Sequence, residues 1–165
     1  MVQGGAVRYA LPGPEFTRDR IAHMTGVPAA VVSAELERMA YARFLGIRAD
    51  VHGTELTTIL PFSHDLIGNP VLPALHGGVI GAFMEITAII GILFAQASQG
   101  EAGGQPAKPI DVSIDYLRSG RPRDAFARAI ITKLGRRVAN VRVECWQDEP
   151  GKPIAALHGN FLVVP

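Results

Sequence analysis

One long apolar segment constrains this chain more than any other feature. Residues 79–97 contain three clearly polar side chains, and one of these is an acid, Glu85. A membrane span needs about 20 apolar residues in succession, whereas this segment is interrupted early by an acid and by glycines. It therefore predicts the buried helix of a soluble protein. Because such a helix is apolar on every side, we expect a curled sheet and a second subunit to cover it.

The composition favours one soluble domain. The chain has 165 residues and is 48% hydrophobic, so we expect a single domain over residues 1–165. Its net charge of +1 offers no general attraction to nucleic acid or to a membrane. The lone Cys145 excludes an intramolecular disulfide, the N-terminus lacks an apolar signal segment, and the histidines lack metal-ligand spacing. We expect a cytoplasmic protein without a metal.

The residues before the apolar segment predict an arm, a helix and a hairpin. Residues 1–17 are rich in turn-formers and predict a loose N-terminal arm. Residues 28–45 carry apolar side chains near helical spacing, which predicts a helix that Gly46 ends. The His52-Gly53 pair between two short alternating runs then predicts a hairpin.

After the apolar segment the periodicity changes from helical to two, which is typical of half-buried strands. Turn signals separate these runs, which lie at about residues 110–117, 125–133, 137–147 and 154–164. Short turns between successive strands favour an antiparallel sheet. The predicted class is α+β, with a curved antiparallel sheet wrapped round one long central helix.

The start of the apolar segment carries the residues that suggest chemistry. Residues 75–87 read LHGGVIGAFMEIT, in which His76 and two glycines precede Glu85. The glycines free backbone N–H groups at a helix N-terminus, where the helix dipole favours developing negative charge, as in an oxyanion hole. Burying a carboxylate is costly, so Glu85 is a candidate catalytic acid, and the small Gly81 leaves space beside it.

These residues resemble a known family. LHGGVIGAFMEIT is similar to the HGG-x(6)-Asp/Glu signature of PaaI-like acyl-CoA thioesterases of the hotdog-fold superfamily. The stretches IDVSIDYLRSGRPRD and LGRRVANVRVECWQDEPGKPIAALHGNFLV resemble the strands that follow that helix, so the resemblance covers roughly residues 45–165. It implies a hotdog fold and hydrolysis of acyl-CoA to free acid and CoA. It implies no cofactor, since coenzyme A is part of the substrate.

The resemblance also implies roles for individual residues. Gly77 matches the residue whose amide polarises the thioester carbonyl, and Gly78 supports the turn. Glu85 matches the acid that activates water or attacks as a nucleophile, and Asn69 is similar to an upstream Asn that helps to place the thioester or the water. In the family the site lies at a dimer interface, so Gly77 and Asn69 would face Glu85 of the other subunit. We therefore expect a homodimer or a dimer of dimers.

Structural interpretations stay open beside these roles. His76 is a site residue that could make only a structural hydrogen bond. Glu85 could be a structural acid paired with a basic group of a partner subunit. Basic residues near two strand ends could hold the phosphates of coenzyme A or be ordinary surface charges. These are Arg118, Arg121, Arg123, Lys133, Arg136 and Arg137, of which we assign Arg118, Arg121, Arg136 and Arg137 to substrate binding.

Two other functions compete with hydrolysis. The sequence GNPVLP, with His64 a few residues before it, is similar to the GNPVMP-like loop of hotdog dehydratases, but Glu85 lies much further from that loop than their acid does. A non-catalytic acyl-CoA-binding protein would keep the same pocket without activating water. No G-x-S-x-G motif is present, which argues against a serine hydrolase of the α/β type.

Overall fold

The computed structural model describes residues 26–101 and 105–164, so the arm predicted at residues 1–17 lies outside the described residues. Two helices come first, α1 (Gly26–Arg38) and α2 (Ala40–Leu45). The single helix predicted over residues 28–45 is thus divided, because Met39 takes an extended conformation with ψ 104°. Gly46 ends α2 in the left-handed region with φ 67°, which confirms its predicted capping role.

Strands occupy most of the remaining chain, on either side of the long helix α3 (Gly77–Ser98). They are β1 (Arg48–His52), β2 (Glu55–Leu60), β3 (Ile67–Asn69), β4 (Ala74–Leu75), β5 (Gln105–Tyr116), β6 (Ala125–Leu134), β7 (Val138–Trp146) and β8 (Ala155–Val164). Six of them form one antiparallel sheet in the order β1-β2-β6-β7-β8-β5, and β3 pairs with β4 in a separate hairpin. The predicted antiparallel sheet around a central helix is confirmed, and β1 and β5 are the sheet edges.

Helix α3 is buried on more than one side within a single chain. An 18-residue window of it has mean hydropathy 2.1, enough by composition to cross a membrane, yet 72% of that window is buried. The sheet packs against one face, and α1 packs against α3 with Val32 and Leu36 in the same core. The helix is therefore a core helix. In the single chain, α1 supplies part of the cover that the apolar sequence led us to expect from a second subunit.

Close approach between α3 and the sheet depends on a glycine. A Cβ added at Gly91 would lie 2.5 Å from the Cβ of Ala129 on β6. β6 can come this near only because residue 91 has no side chain, since any larger residue at this position would push α3 away from the strand. A buried hydrogen bond of 2.6 Å between the hydroxyls of Thr58 on β2 and Thr87 further ties α3 to the sheet.

We expect Gly91→Ala to destabilise the fold by about 1–2 kcal/mol, because overpacking of about 1–3 kcal/mol outweighs the helix propensity gained. Denaturant unfolding measures this loss. Gly151→Ala is the matched control, since nothing lies within 4 Å of a Cβ added there. Adding Ala129→Gly should recover part of the loss by removing the clashing methyl. Additive effects in the double variant would contradict the proposed contact.

Candidate active site

The N-terminus of α3 is capped by the histidine of the motif. His76 is the N-cap residue, and its Nδ1 accepts the Gly78 N–H at 2.9 Å. Its carbonyl oxygen accepts the N–H groups of Val79 at 3.0 Å and Ile80 at 3.2 Å. His76 therefore satisfies two of the amide groups that a helix start leaves without helical partners, those of Gly78 and Val79, and it accepts the first helical bond from Ile80. This geometry favours the structural interpretation of its side chain.

The remaining amide of the first turn is that of Gly77. Across residues 26–101 and 105–164, no backbone or side-chain group accepts the Gly77 N–H. This N–H lies at the positive end of the helix dipole, where a negatively charged oxygen is stabilised. A backbone donor held in place before the reaction is what an oxyanion hole requires.

Tyr116, at the end of β5, lies directly over this turn. Its hydroxyl donates a hydrogen bond to the Gly77 carbonyl oxygen at 2.7 Å. A Cβ added at Gly77 would lie 3.3 Å from the tyrosine ring, so the ring and the backbone are in close contact. Tyr116 is not a site residue predicted from the sequence, because the alternation of β5 gives no information on which helix residue the strand meets.

Close contacts explain why the glycine positions of the motif have no room for a larger side chain. Gly77 makes room for the Tyr116 ring, and a Cβ at Gly78 would lie 3.0 Å from Nδ1 of His76. Gly81 has the same property one turn on, because a Cβ there would lie 2.9 Å from Cδ1 of Ile114. The space expected beside Glu85 at Gly81 and Ala82 is thus occupied by Ile114 at Gly81, so that part of the expectation is wrong.

Glu85 is half-buried on α3, about two turns after Gly77. It follows Gly77 and Gly81 at intervals of four residues, so these positions lie roughly on one face of the helix. Gly77 and Gly81 contact Tyr116 and Ile114 of β5, which places Glu85 further along the same strand. Within the described part of the chain, Glu85 forms no side-chain hydrogen bond and no ion pair. No described basic residue of its own chain therefore neutralises it.

Asn69 is the last residue of β3, directly before the turn that leads to β4. Its Oδ1 accepts the N–H groups of Val71 at 3.0 Å and Leu72 at 3.2 Å. These two bonds use the carbonyl end of the side chain and leave the amide Nδ2 as an exposed donor. The hairpin packs on the cap of α3, because the His76 N–H donates to the Leu66 carbonyl at 2.8 Å. Asn69 and Gly77 therefore belong to the same end of α3.

Arg118 also lies at this end. It lines a cavity of about 360 Å³ together with Gly77 and Tyr116, and its guanidinium donates to the Pro153 carbonyl at 3.0 Å. Arg121 lies after the same strand, and its guanidinium is 3.8 Å from the Asp148 carboxylate. Arg118 is thus the predicted substrate-binding residue that the fold brings to the glycine turn.

Arg136 and Arg137 lie elsewhere. They line a separate cavity of about 650 Å³ with Gln96 and Gln99, at the C-terminal end of α3. A helix of this length rises by roughly 33 Å from end to end. The basic residues predicted to form one phosphate site are therefore divided between the two ends of α3 within a single chain.

Other chemically suggestive side chains have structural surroundings. Burial raises the pKa of the Cys145 thiol to about 12, so this cysteine carries no thiolate at neutral pH. The His64 ring packs edge-on against Phe62, with 5.2 Å between the ring centroids. Neither residue has the environment of a nucleophile or of an acid-base pair.

The comparison with known families agrees with this geometry. Residues 72–154, which include the cap, the glycine turn, Glu85 and Tyr116, match the Thioesterase superfamily. This chain belongs to the thioesterase superfamily. It is accordingly a thioester hydrolase, and the resemblance drawn from the His-Gly-Gly motif is confirmed.

Relatives of this thioesterase match most of its length. The medium/long-chain acyl-CoA thioesterase YigI of Escherichia coli (strain K12) is 27% identical over 121 residues, which are 67% of this chain and 77% of that protein. A Chromobacterium violaceum protein of known crystal structure is 34% identical, with a TM-score of 0.63, covering 88% of this chain and 97% of its own. A phenylacetic acid degradation-related protein from Ralstonia eutropha has the same fold, with a TM-score of 0.66 at 21% identity over 83% of this chain and 99% of its own.

We expect His76→Ala to lower the stability of this thioesterase by about 1 kcal/mol, because the Gly78 N–H loses its cap. Asparagine is a good N-cap residue that cannot act as a base at neutral pH, so His76→Asn should restore both stability and hydrolysis. Thermal unfolding and turnover are measured on the same samples. A well-folded His76→Asn protein without turnover would show that the imidazole has a chemical role.

Proposed function

We propose that this thioesterase hydrolyses medium- or long-chain acyl-CoA, with the Gly77 N–H stabilising the oxyanion and Glu85 activating the attack. The observation that carries the proposal is the Gly77 N–H, which has no acceptor among the described residues and lies at the start of a long helix. The chain length of the acyl group follows the printed activity of the Escherichia coli relative.

The chemistry needs a donor for the carbonyl oxygen and a base or nucleophile for the carbon. In the water route, Glu85 takes a proton from water as its oxygen attacks the carbonyl carbon, and the C–S bond then breaks. The proton passes to the departing thiolate, which gives free acid and CoA. In the covalent route, the Glu85 carboxylate attacks the carbonyl carbon, the C–S bond breaks and CoA leaves as the thiolate; water then hydrolyses the resulting anhydride, which gives the free acid, restores the carboxylate and supplies the proton that the thiolate takes up. Both routes build negative charge on the carbonyl oxygen, where the Gly77 N–H acts.

Helix geometry favours a site built from two chains. Gly77 and Glu85 are eight residues apart on α3, which corresponds to a rise of roughly 12 Å. Reacting atoms must come within about 3–3.5 Å, and a glutamate side chain spans only part of this separation. We therefore propose that Gly77 of one protomer acts with Glu85 of its partner, so that neither chain alone holds a complete site.

The edge strand β5 supports a homodimer. It lies at one end of the sheet, and residues 110–116 contain no proline that would remove a backbone donor. Ile110 on this strand is 60% exposed, and a large apolar side chain exposed on an edge strand is available to pack against a partner. The spacing of Gly77, Gly81 and Glu85 on α3 puts Glu85 roughly on the face that meets this strand, so we expect a partner paired with β5 to come close to the carboxylate.

Polar residues around the two ends of α3 would bind the remainder of the substrate. Asn69 offers its Nδ2 donors to the thioester carbonyl or to the attacking water. Arg118 lines the cavity beside Gly77. Arg121 lies three residues later, and its guanidinium is already paired with the Asp148 carboxylate. Arg136 and Arg137 form no ion pair among the described residues and suit the phosphates of coenzyme A.

We expect Glu85→Gln to reduce turnover by roughly two to four orders of magnitude, because Gln can neither accept a proton nor attack. Gly77→Pro should have a comparable effect, since it removes the N–H at the first helical position, where proline is otherwise well tolerated. Single-turnover hydrolysis of decanoyl-CoA and palmitoyl-CoA measures both. The stability of Glu85→Gln should equal or exceed that of the parent.

Two matched controls separate chemistry from packing. Glu37→Gln makes the same substitution at an exposed position of α1 and should leave turnover unchanged. Gly77→Ala places a Cβ against the Tyr116 ring as proline does, but it keeps the N–H, so it should retain far more activity than Gly77→Pro. Near-parental hydrolysis by a folded Glu85→Gln protein would favour a non-catalytic acyl-CoA-binding protein.

A mixture of the two inactive variants tests whether the site is shared. In a heterodimer of Glu85→Gln and Gly77→Pro chains, one site combines an intact Gly77 with an intact Glu85 of the partner. If chains mix randomly, half of the dimers are heterodimers with one working site each, so about a quarter of parental activity should return. No recovery in a mixture whose heterodimers are detected by mass would place both residues of one site on one chain.

A further inference from the structure

The two peptide units around Gly77 are both held by named groups. In the unit that carries the Gly77 N–H, the His76 carbonyl accepts two N–H groups, from Val79 and Ile80. In the next unit, the Tyr116 hydroxyl donates to the Gly77 carbonyl at 2.7 Å and the Gly78 N–H donates to His76 Nδ1 at 2.9 Å. The second unit is therefore held at its oxygen by one side chain and at its nitrogen by another.

Such restraint matters because two successive glycines have wide backbone freedom. A rotation of either peptide unit would turn the Gly77 N–H away from the position it has in this structure. A side-chain cap such as that of His76 is common at helix starts. The bond from Tyr116 is different, because it comes from a strand 39 residues along the chain. Tyr116 thus links the orientation of the turn to the position of β5.

We propose that Tyr116 is a positioning residue for hydrolysis, acting through the Gly77 carbonyl to hold the Gly77 N–H toward the thioester oxygen. The proposal rests on the proposed role of Gly77 as the oxyanion donor. A hydroxyl bonded to the Gly77 carbonyl also polarises that peptide unit, which strengthens the hydrogen bond from the Gly78 N–H to His76 and so holds the turn more firmly.

The side chain is suited to this task rather than to the stability of the core. Tyr116 is 55% exposed, so its ring contributes little buried apolar area. The same hydroxyl lies 3.5 Å from the position of a Cβ at Gly81, so small residues on two successive turns of α3 allow it to reach the backbone. The loss of this hydroxyl should therefore affect the reaction more than the fold.

The test is Tyr116→Phe, which keeps the ring and removes the hydroxyl. With decanoyl-CoA as substrate, we expect kcat to fall about tenfold, with KM within about twofold and an unchanged Tm, because a bond that aligns a donor acts mainly in the transition state. The control is Tyr41→Phe. Tyr41 is 50% exposed on α2, and its hydroxyl forms no hydrogen bond among the described residues, so its loss should leave kcat unchanged.

A spectroscopic measurement tests the route through Gly77. Decanoyl-CoA labelled with ¹³C at the thioester carbonyl is bound to the inactive Glu85→Gln protein, and isotope-edited infrared spectra report the polarisation of that carbonyl. We expect its stretching frequency to shift down on binding, and this shift to shrink in Glu85→Gln/Tyr116→Phe. A merely structural tyrosine would leave the bound carbonyl frequency unchanged.

The outcomes separate the two proposals. Loss of activity in Gly77→Pro with parental kcat in Tyr116→Phe would overturn the positioning role and leave the proposed function intact. Parental turnover in both variants would overturn the oxyanion assignment and the positioning role together. A fall in kcat with an unchanged bound carbonyl frequency would also overturn the inference, since Tyr116 would then act by another route.

Discussion

Burial of the apolar helix α3 between the sheet and α1 is the constraint on which the rest of the structure depends. Its core-facing residues are fully enclosed, and burying each large apolar side chain contributes roughly 1.5–3 kcal/mol. The helix can therefore neither rotate nor slide without exposing this surface. Its N-terminus is fixed beside the end of β5, and the Gly77 N–H is fixed with it.

Close packing explains why a sequence this apolar contains so many glycines on one helix. Gly91 lets β6 approach the middle of α3, whereas Gly77 and Gly81 let side chains of β5 approach its start. Each of these glycines weakens the isolated helix by about 1 kcal/mol relative to alanine. The sheet compensates for that loss, and at Gly77 the space admits a tyrosine that bonds to the backbone.

Much of this architecture can be predicted from the hydrophobic pattern alone. The long apolar segment predicts α3, and the alternation after it predicts the four following strands, because burial of one face of a sheet imposes a period of two on the sequence. The break at Met39 is not visible, since residues on both sides favour helix. The contact between Tyr116 and Gly77 is invisible for another reason. It depends on how far α3 and β5 slide past each other, and no local pattern records that register.

The same limit applies to the charged residues. A basic cluster near two strand ends looks continuous in sequence, but strands that run antiparallel return their ends to opposite sides of the sheet. Arg118 therefore lies at the start of α3, and Arg136 and Arg137 lie at its far end. Glu85 stands out as a candidate in the sequence because an acid in an apolar helix is unusual, and that inference needs no tertiary information.

Glu85 also shows why the proposed dimer and the proposed chemistry belong together. A half-buried carboxylate without a described partner in its own chain keeps contact with solvent in the single chain. Docking a second chain on β5 would remove that water, which is unfavourable for a charge unless new hydrogen bonds replace it. The Gly77 turn of the partner and a bound thioester would bring donors and an attackable carbon to this position. At a subunit interface the Glu85 carboxylate would be both shielded from bulk water and close to the thioester that it attacks or hydrolyses.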